Sequence, residues 1–369
     1  MTDRDTRLPG LHLALEVDGD GAHPAAWRHS GRPPGAVLGP GALRDTVAAA
    51  ESAGFALVTF ADSPLPPAAG GPAGRLEAGT RAAYVSVLTD RIGLAPTLHV
   101  TTTEPFHLAT QLASLDHASH GRGAWVVGAA NGEDDAATVG EPVRPAAALI
   151  RETADVIETA RSLWDSWEDD AVIKDRATGR FLDADRVHAV DFEGPAFSVK
   201  GPLITPRPPQ GRLVVLVPDA LDVDDHADVV LVARPDLAGV AARAADAREA
   251  GAPLVFAEVE VVLDADAPAA ERLAALDGAA LWPETGRLRH VGSPEALVGL
   301  LRELSGLVDG VRLHPAVLAV DLPVLVDRVL GDPAAAGNRP VPRPGDTLRD
   351  TLGLPRPANR YAAPAATTT

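Results

Sequence analysis

The chain has 369 residues, 46% of them hydrophobic and 23% charged, the balance of a globular domain large enough to bury a core without staples. It has no cysteine, which excludes disulfides, thiolate catalysis and cysteine-based zinc sites and fits a reducing compartment. A net charge of −18 repels phosphate backbones and anionic lipid, so neither nucleic acid nor a membrane surface is an expected partner. Nowhere do about 18 apolar residues run together as a spanning helix requires. Asp3, Arg4, Asp5 and Arg7 leave no room for a secretory signal, so a cytoplasmic location is expected.

Short apolar runs alternate with segments of helical period, the pattern of βαβ units around a parallel sheet. Leu11 to Val17 predicts a first strand. Pro40 to Gly54 predicts a helix with Leu43, Val47, Ala50 and Ala53 on one face. Phe55 to Phe60 reads as a buried strand, Leu76 to Thr89 as a helix and Ile92 to Val100 as the third strand. Pro105 opens a helix to Ser119, since proline suits a first turn. Gly123 to Gly128 is a fourth strand, and Ala146 to Trp167 a long helix. From 169 to 211 the rhythm breaks into an insertion with short strands around Val187 to Val190 and Phe197 to Val199. Alternation resumes with Leu213 to Val217, Val229 to Val232, Leu237 to Ala250 and Val255 to Leu263. It ends with Pro294 to Leu304, Gly310 to Leu313 and Leu322 to Leu330. About eight strands predict an α/β fold of the TIM-like (β/α)8 barrel type, occupying residues 1–332 as one domain that includes the insertion. The Pro-, Gly- and Arg-rich stretch 333–369 is expected to be an extended, partly disordered arm.

Several motifs resemble luciferase-like flavin-dependent monooxygenases. They are Thr89-Asp90-Arg91-Ile92-Gly93-Leu94, Glu104-Pro105-Phe106-His107-Leu108-Ala109 and, most specifically, Leu163-Trp164-Asp165-Ser166-Trp167. Val187-His188, the proline turn Pro206-Arg207-Pro208-Pro209-Gln210-Gly211-Arg212, and Thr347 to Leu354 follow in the same order. The set is similar to the branch holding nitrilotriacetate monooxygenase, pristinamycin synthase and dibenzothiophene-sulfone monooxygenase. The resemblance implies a TIM-like barrel that uses reduced FMN, delivered by a separate flavin reductase, to oxygenate a small organic substrate with O2. Coenzyme F420 is the alternative cofactor. Homodimers, or heterodimers with a paralogue, are the expected assemblies. Barrel enzymes build their sites at the carboxyl ends of the strands, which is where the candidates are sought.

By that resemblance Asp62, Thr97, Thr101 and Trp125 are the expected flavin contacts. Asp62 is open to either a flavin contact or a loop cap. His99 replaces a hydroxyl residue of the family and is the candidate general base, the competing reading being a hydrogen-bonded structural histidine. Elsewhere the family's flavin grip is altered. Val126, Ala129 and Ala130 stand where Asn, Thr and Ser are usual, and Leu149 and Ile150 where an Arg-Tyr pair is usual. The phosphate turn has become Asp219 to His226 with four aspartates. No metal is expected there, because tandem aspartates without further carboxylates read as an acidic loop. These losses favour a second reading, a flavin-site-degenerate homologue that is a non-catalytic partner subunit or uses no flavin.

Overall fold

The computed structural model describes residues 10–68, 71–331 and 339–362. Among them eight parallel strands close into a barrel: β1 (His12–Glu16), β2 (Leu57–Phe60), β3 (Gly93–His99), β4 (Ala124–Gly128), β5 (Val214–Pro218), β6 (Val229–Val232), β7 (Leu254–Leu263) and β8 (Gly310–Pro315). Each pairs with its chain neighbours, and β8 pairs back onto β1 through His12 opposite Gly310. The predicted barrel is therefore the fold.

The strands are buried on both faces, so side chains alternate between two apolar layers. Leu13, Leu15, Val58, Phe60, Leu94 and Trp125 face outward, under the surrounding helices. Ala14, Leu57, Ala95, Val126, Leu216, Leu231 and Phe256 fill the lumen. Gly93 is small because the lumen is full: a Cβ there would lie 2.6 Å from Leu348 Cδ1 and 2.9 Å from Leu57 Cβ. Gly93→Ala is accordingly expected to cost about 1–3 kcal/mol by overpacking, read as a lowered urea midpoint at unchanged slope.

Several sequence expectations change. The closing helix is two pieces, Leu318–Val324 running into a π-helical turn at Leu325–Leu330, because Pro323 supplies no N–H to the continuing ladder. A helix Ala269–Asp277 and an additional strand Leu288–Gly292 on the edge of β7 fill the stretch between Leu263 and Pro294, for which the sequence reading names no element. The insertion holds a hairpin, Val172–Asp175 with Arg180–Leu182, and a second pairing of Phe192–Glu193 with Ser198–Val199; Val187 only bridges Trp167.

Of the expected C-terminal arm, 333–338 and 363–369 lie outside the described residues. The part between them is not simply extended. Thr347 caps a short helix, Leu348–Leu352, whose Leu348 and Leu352 are buried with Leu354 against the lumen residues at the amino ends of the strands. Arg349 ties it down, giving both Asp228 oxygens a hydrogen bond at 3.1 and 3.2 Å and Arg212 O one at 2.7 Å. The family-like motifs prove to be the fastening of this segment. Asp165 lies fully buried between Arg207 and Arg212, while Asn359 reaches back to the carbonyls of Asp165 and Trp167 at 2.8 and 2.9 Å. Trp164 donates to Ala109 O and Trp167 to Leu203 O, each as a packing group with its N–H satisfied.

Candidate functional site

Among the described strand residues, a cluster of inward-facing charge lies at the carboxyl ends. Glu16, Thr59, Glu258, Glu260, Arg312 and His314 continue the inward-facing series of β1, β2, β7 and β8. Arg312 donates to Thr59 Oγ1 at 2.9 Å, to Glu258 Oε1 at 3.0 Å, and to Glu16. Glu16 accepts in addition from Thr59 Oγ1 and Ala61 N, both at 2.7 Å, and His314 Nε2 lies 3.1 Å from Glu258 Oε1. Arg289 and Thr285 close over Glu260 at 2.7 and 2.6 Å. Burial is the largest influence and pushes Glu258 and Glu16 upward, but Arg312 acting together with His314, and with Arg287 for Glu258 and Thr59 for Glu16, holds both below the usual carboxylate range. This half of the barrel mouth is a closed, internally neutralised network.

The other half is open. A cavity of about 530 Å³ lies between the segments that follow β2 and β3, lined by Asp62, Pro64, Leu65, Arg75, Glu77, Thr97, Leu98, His99, Thr102 and Thr103. A smaller one of about 320 Å³ follows β1 and includes Asp18, His23, Trp27 and Arg81. Arg75 lines both.

Three of the five expected site residues, Asp62, Thr97 and His99, therefore share one cavity. Thr101 does not line it: its hydroxyl is turned to Ala130 O at 2.7 Å, tying the segment after β3 to that after β4. Trp125 points outward into the barrel–helix core, fully buried, its Nε1 donating to Leu98 O at 3.0 Å. Alternation along β4 sends Trp125 outward and leaves Ala124, Val126 and Gly128 facing in.

Asp62 works as a cap. Its oxygens accept from Ser63 N and Ala78 N, both at 2.8 Å, and Glu77 takes Gly79 N and Thr80 N at 2.7 and 2.6 Å. The start of the helix Ala78–Ser86, a natural anion site, is thus filled by the chain's own carboxylates. His99 accepts from Ala130 N at Nδ1 (3.1 Å), which leaves Nε2 to donate to Asp62 O (3.3 Å). Both ring nitrogens are engaged in the neutral form, and burial lowers its pKa. This geometry holds His99 as a rigid wall and offers no lone pair for a general base. In an NMR titration its ring is expected to protonate below 6.5, with folding stability falling as pH drops through that region, because the unfolded histidine takes the proton first. A midpoint above 6.5 would overturn this assignment.

Two of the four aspartates in the acidic turn after β5, Asp219 and Asp224, are paired with arginines from the segments that follow. Arg234 and Arg243 both reach Asp219, and Arg243 also bonds Asp224. Arg144 pairs with Glu152, and Arg75 lies 3.4 Å from Asp18. The charged network of the mouth is absent from the sequence-based expectations, although its signal is present. Glu258 and Glu260, like Arg312 and His314, stand two apart in apolar strands and so share the inward face.

A parallel (β/α)8 barrel with its cavity at the carboxyl face defines the class, and comparison with known proteins defines the family. The luciferase-like monooxygenase family model matches residues 22–307. The chain belongs to that family. N-acetyl-S-(2-succino)cysteine monooxygenase of Bacillus subtilis (strain 168) is 34% identical over 209 residues, 56% of this chain and 47% of its own length. One of the two pristinamycin IIA synthase subunits of Streptomyces pristinaespiralis is 32% identical over 336 residues, 91% of this chain and 96% of its own. The chain thus spans about half of the first relative and nearly all of the second. EDTA monooxygenase from Chelativorans sp. BNC1 superposes with a TM-score of 0.77 at 19% identity, covering 94% of this chain and 99% of that one. No helix among the described residues is long and apolar enough to cross a membrane.

Proposed function

We propose that the chain is the oxygenating component of a two-component monooxygenase, receiving a reduced flavin and a small organic substrate in the cavity beside His99. The observation that carries this is the cavity itself, at the carboxyl ends of β2 and β3, where barrel enzymes place their chemistry. A bound reduced flavin supplies the electrons that activate O2. The chain's own part is to position and to dry. Leu65 and Leu98 give apolar walls, the neutral His99 ring is fixed by two hydrogen bonds, and Thr97, Thr102 and Thr103 bring hydroxyls. The lining fits a ring system. It does not fit the phosphate of FMN, since Asp62 and Glu77 occupy the nearest helix start and Arg75 faces Asp18. F420, with still more anionic groups, fits less well.

A flavin reductase as partner and a homodimeric or heterodimeric assembly belong to this reading. A second reading, the non-catalytic subunit of a heteromer, rests on the altered flavin contacts, and its heteromer part has one supporting observation. The match spans 96% of one pristinamycin IIA synthase subunit but only 46% of the other subunit of that synthase.

The test is an anaerobic titration of the purified protein with reduced flavins, followed by quenching of flavin fluorescence on reoxidation. Saturable binding that is lost on filling the cavity with Thr97→Phe supports the first reading. Absence of binding at high flavin concentration sinks it, and copurification with a paralogous chain then favours the second.

A further inference from the structure

The lining of the cavity carries a charge pattern opposite to the one an FMN site needs. Three carboxylates, Asp18, Asp62 and Glu77, stand on or beside it, against the guanidinium of Arg75. That guanidinium is already engaged by Asp18 at 3.4 Å. Arg81, in the neighbouring cavity, is buried and turns Nη1 to Val17 O and Nη2 to Ala61 O. A phosphate dianion only accepts hydrogen bonds, and so do ionised carboxylates, so these carboxylates repel it. The donors left to oppose them are the hydroxyls of Thr97, Thr102 and Thr103 and the Arg75 nitrogens not turned to Asp18. A helix amino terminus is the usual remedy, but the N–H groups of Ala78, Gly79 and Thr80 are all donated to Asp62 and Glu77. Ribityl hydroxyls have the opposite character. Each is neutral and donates, and an acidic surface with backbone carbonyls gives it acceptors.

Resting on the reading of this cavity as the flavin site, we propose that the chain selects a neutral, dephosphorylated flavin over FMN. Riboflavin, or a flavin of similarly uncharged side chain, is the preferred ligand, and the missing phosphate grip is then a specificity device that rejects FMN. The family's usual phosphate loop has no role left to play, and its conversion to Asp219 to His226, sealed by Arg234 and Arg243, costs the function nothing.

The experiment compares binding of riboflavin and FMN to the intact chain by fluorescence quenching, at low and at high salt. Riboflavin is expected to bind at least tenfold tighter at low salt. The gap should narrow as salt rises, because only FMN feels the screened repulsion. Glu77→Gln is expected to narrow it further by strengthening FMN alone; the salt series on the unaltered protein tests the same point should that variant fail to fold. Equal affinities, or tighter binding of FMN, overturn the selection while leaving the cavity a flavin site. Binding of neither removes the flavin site and the selection together.

Discussion

Arg312→Leu is expected to lose about 3–5 kcal/mol of folding stability at neutral pH, and the loss should shrink as the pH is lowered. In the native protein Arg312 sits between the carboxylates of Glu16 and Glu258 in the barrel mouth, all three buried. Removing the guanidinium leaves two carboxylates in a low-dielectric setting, with Thr59, Ala61 N, His314 and the more distant Arg287 as partners. Their pKa values, held down chiefly by Arg312 in the native protein, then rise under burial. The sign of the pH dependence reverses with them. A carboxylate with a depressed folded pKa stabilises above its unfolded value and loses that contribution as pH falls. One with a raised folded pKa stabilises at low pH and loses its contribution as pH rises. Urea unfolding at about pH 7.5 and 5.5 should therefore show native stability flat or falling on acidification and variant stability rising. Replacing Glu16, Glu258 and Arg312 together by apolar residues should restore much of the loss. A single-variant cost under about 1 kcal/mol would mean that water reaches the network freely.

The second large effect lies at the opposite end of the barrel. Asp165→Ala is expected to cost about 3 kcal/mol and to expose the C-terminal segment to trypsin at Arg349, Arg356 and Arg360. Asp165 is fully buried and accepts from Arg207, itself 2% exposed at its side chain, and from Arg212. It also takes the Arg360 backbone N–H at 3.4 Å. With the carboxylate gone, Arg207 keeps only Asp169 and Pro357 O, and Arg212 loses its ion pair. The contrast is Arg356→Ala. Its pairing with Asp169 is half exposed and should be worth no more than about 1 kcal/mol. Limited proteolysis separates the two: rapid cleavage in the Asp165 variant and native-like resistance in the Arg356 variant. Equal resistance in all three proteins would show that Leu348 and Leu352 hold the segment unaided.

The barrel was legible because its strands are buried on both faces and bounded by Gly and Pro, so each stands out as an apolar block. The insertion hairpin was not, since Val172–Asp175 and Arg180–Leu182 are short, bury no residue and pair only locally. The C-terminal segment misled for the opposite reason: its Pro and Arg content masked three leucines, Leu348, Leu352 and Leu354, that act only once the barrel exists to receive them. At the site, the resemblance located Asp62, Thr97 and His99 around one cavity. It did not anticipate the direction of Trp125, which depends on the parity of β4, nor the single tautomer of His99, which depends on Ala130 N from a neighbouring loop. Ion pairing of Glu16 with Arg312 joins the first strand of the barrel to the last, and no local pattern encodes it.

The floor of the barrel has a consequence for how the protein is made. Leu348 and Leu352, which seal the lumen beneath Gly93, are translated after every strand. While the ribosome still holds them, all eight strands can have emerged, yet the lumen lacks its lower packing layer and Asp228 lacks Arg349. The nascent chain must wait in an incompletely sealed state, and its core closes only when Leu352 has cleared the exit tunnel. A chain that stalls just before Leu348 would have every strand of the barrel and still present an unfilled apolar hole to the cell's proteases.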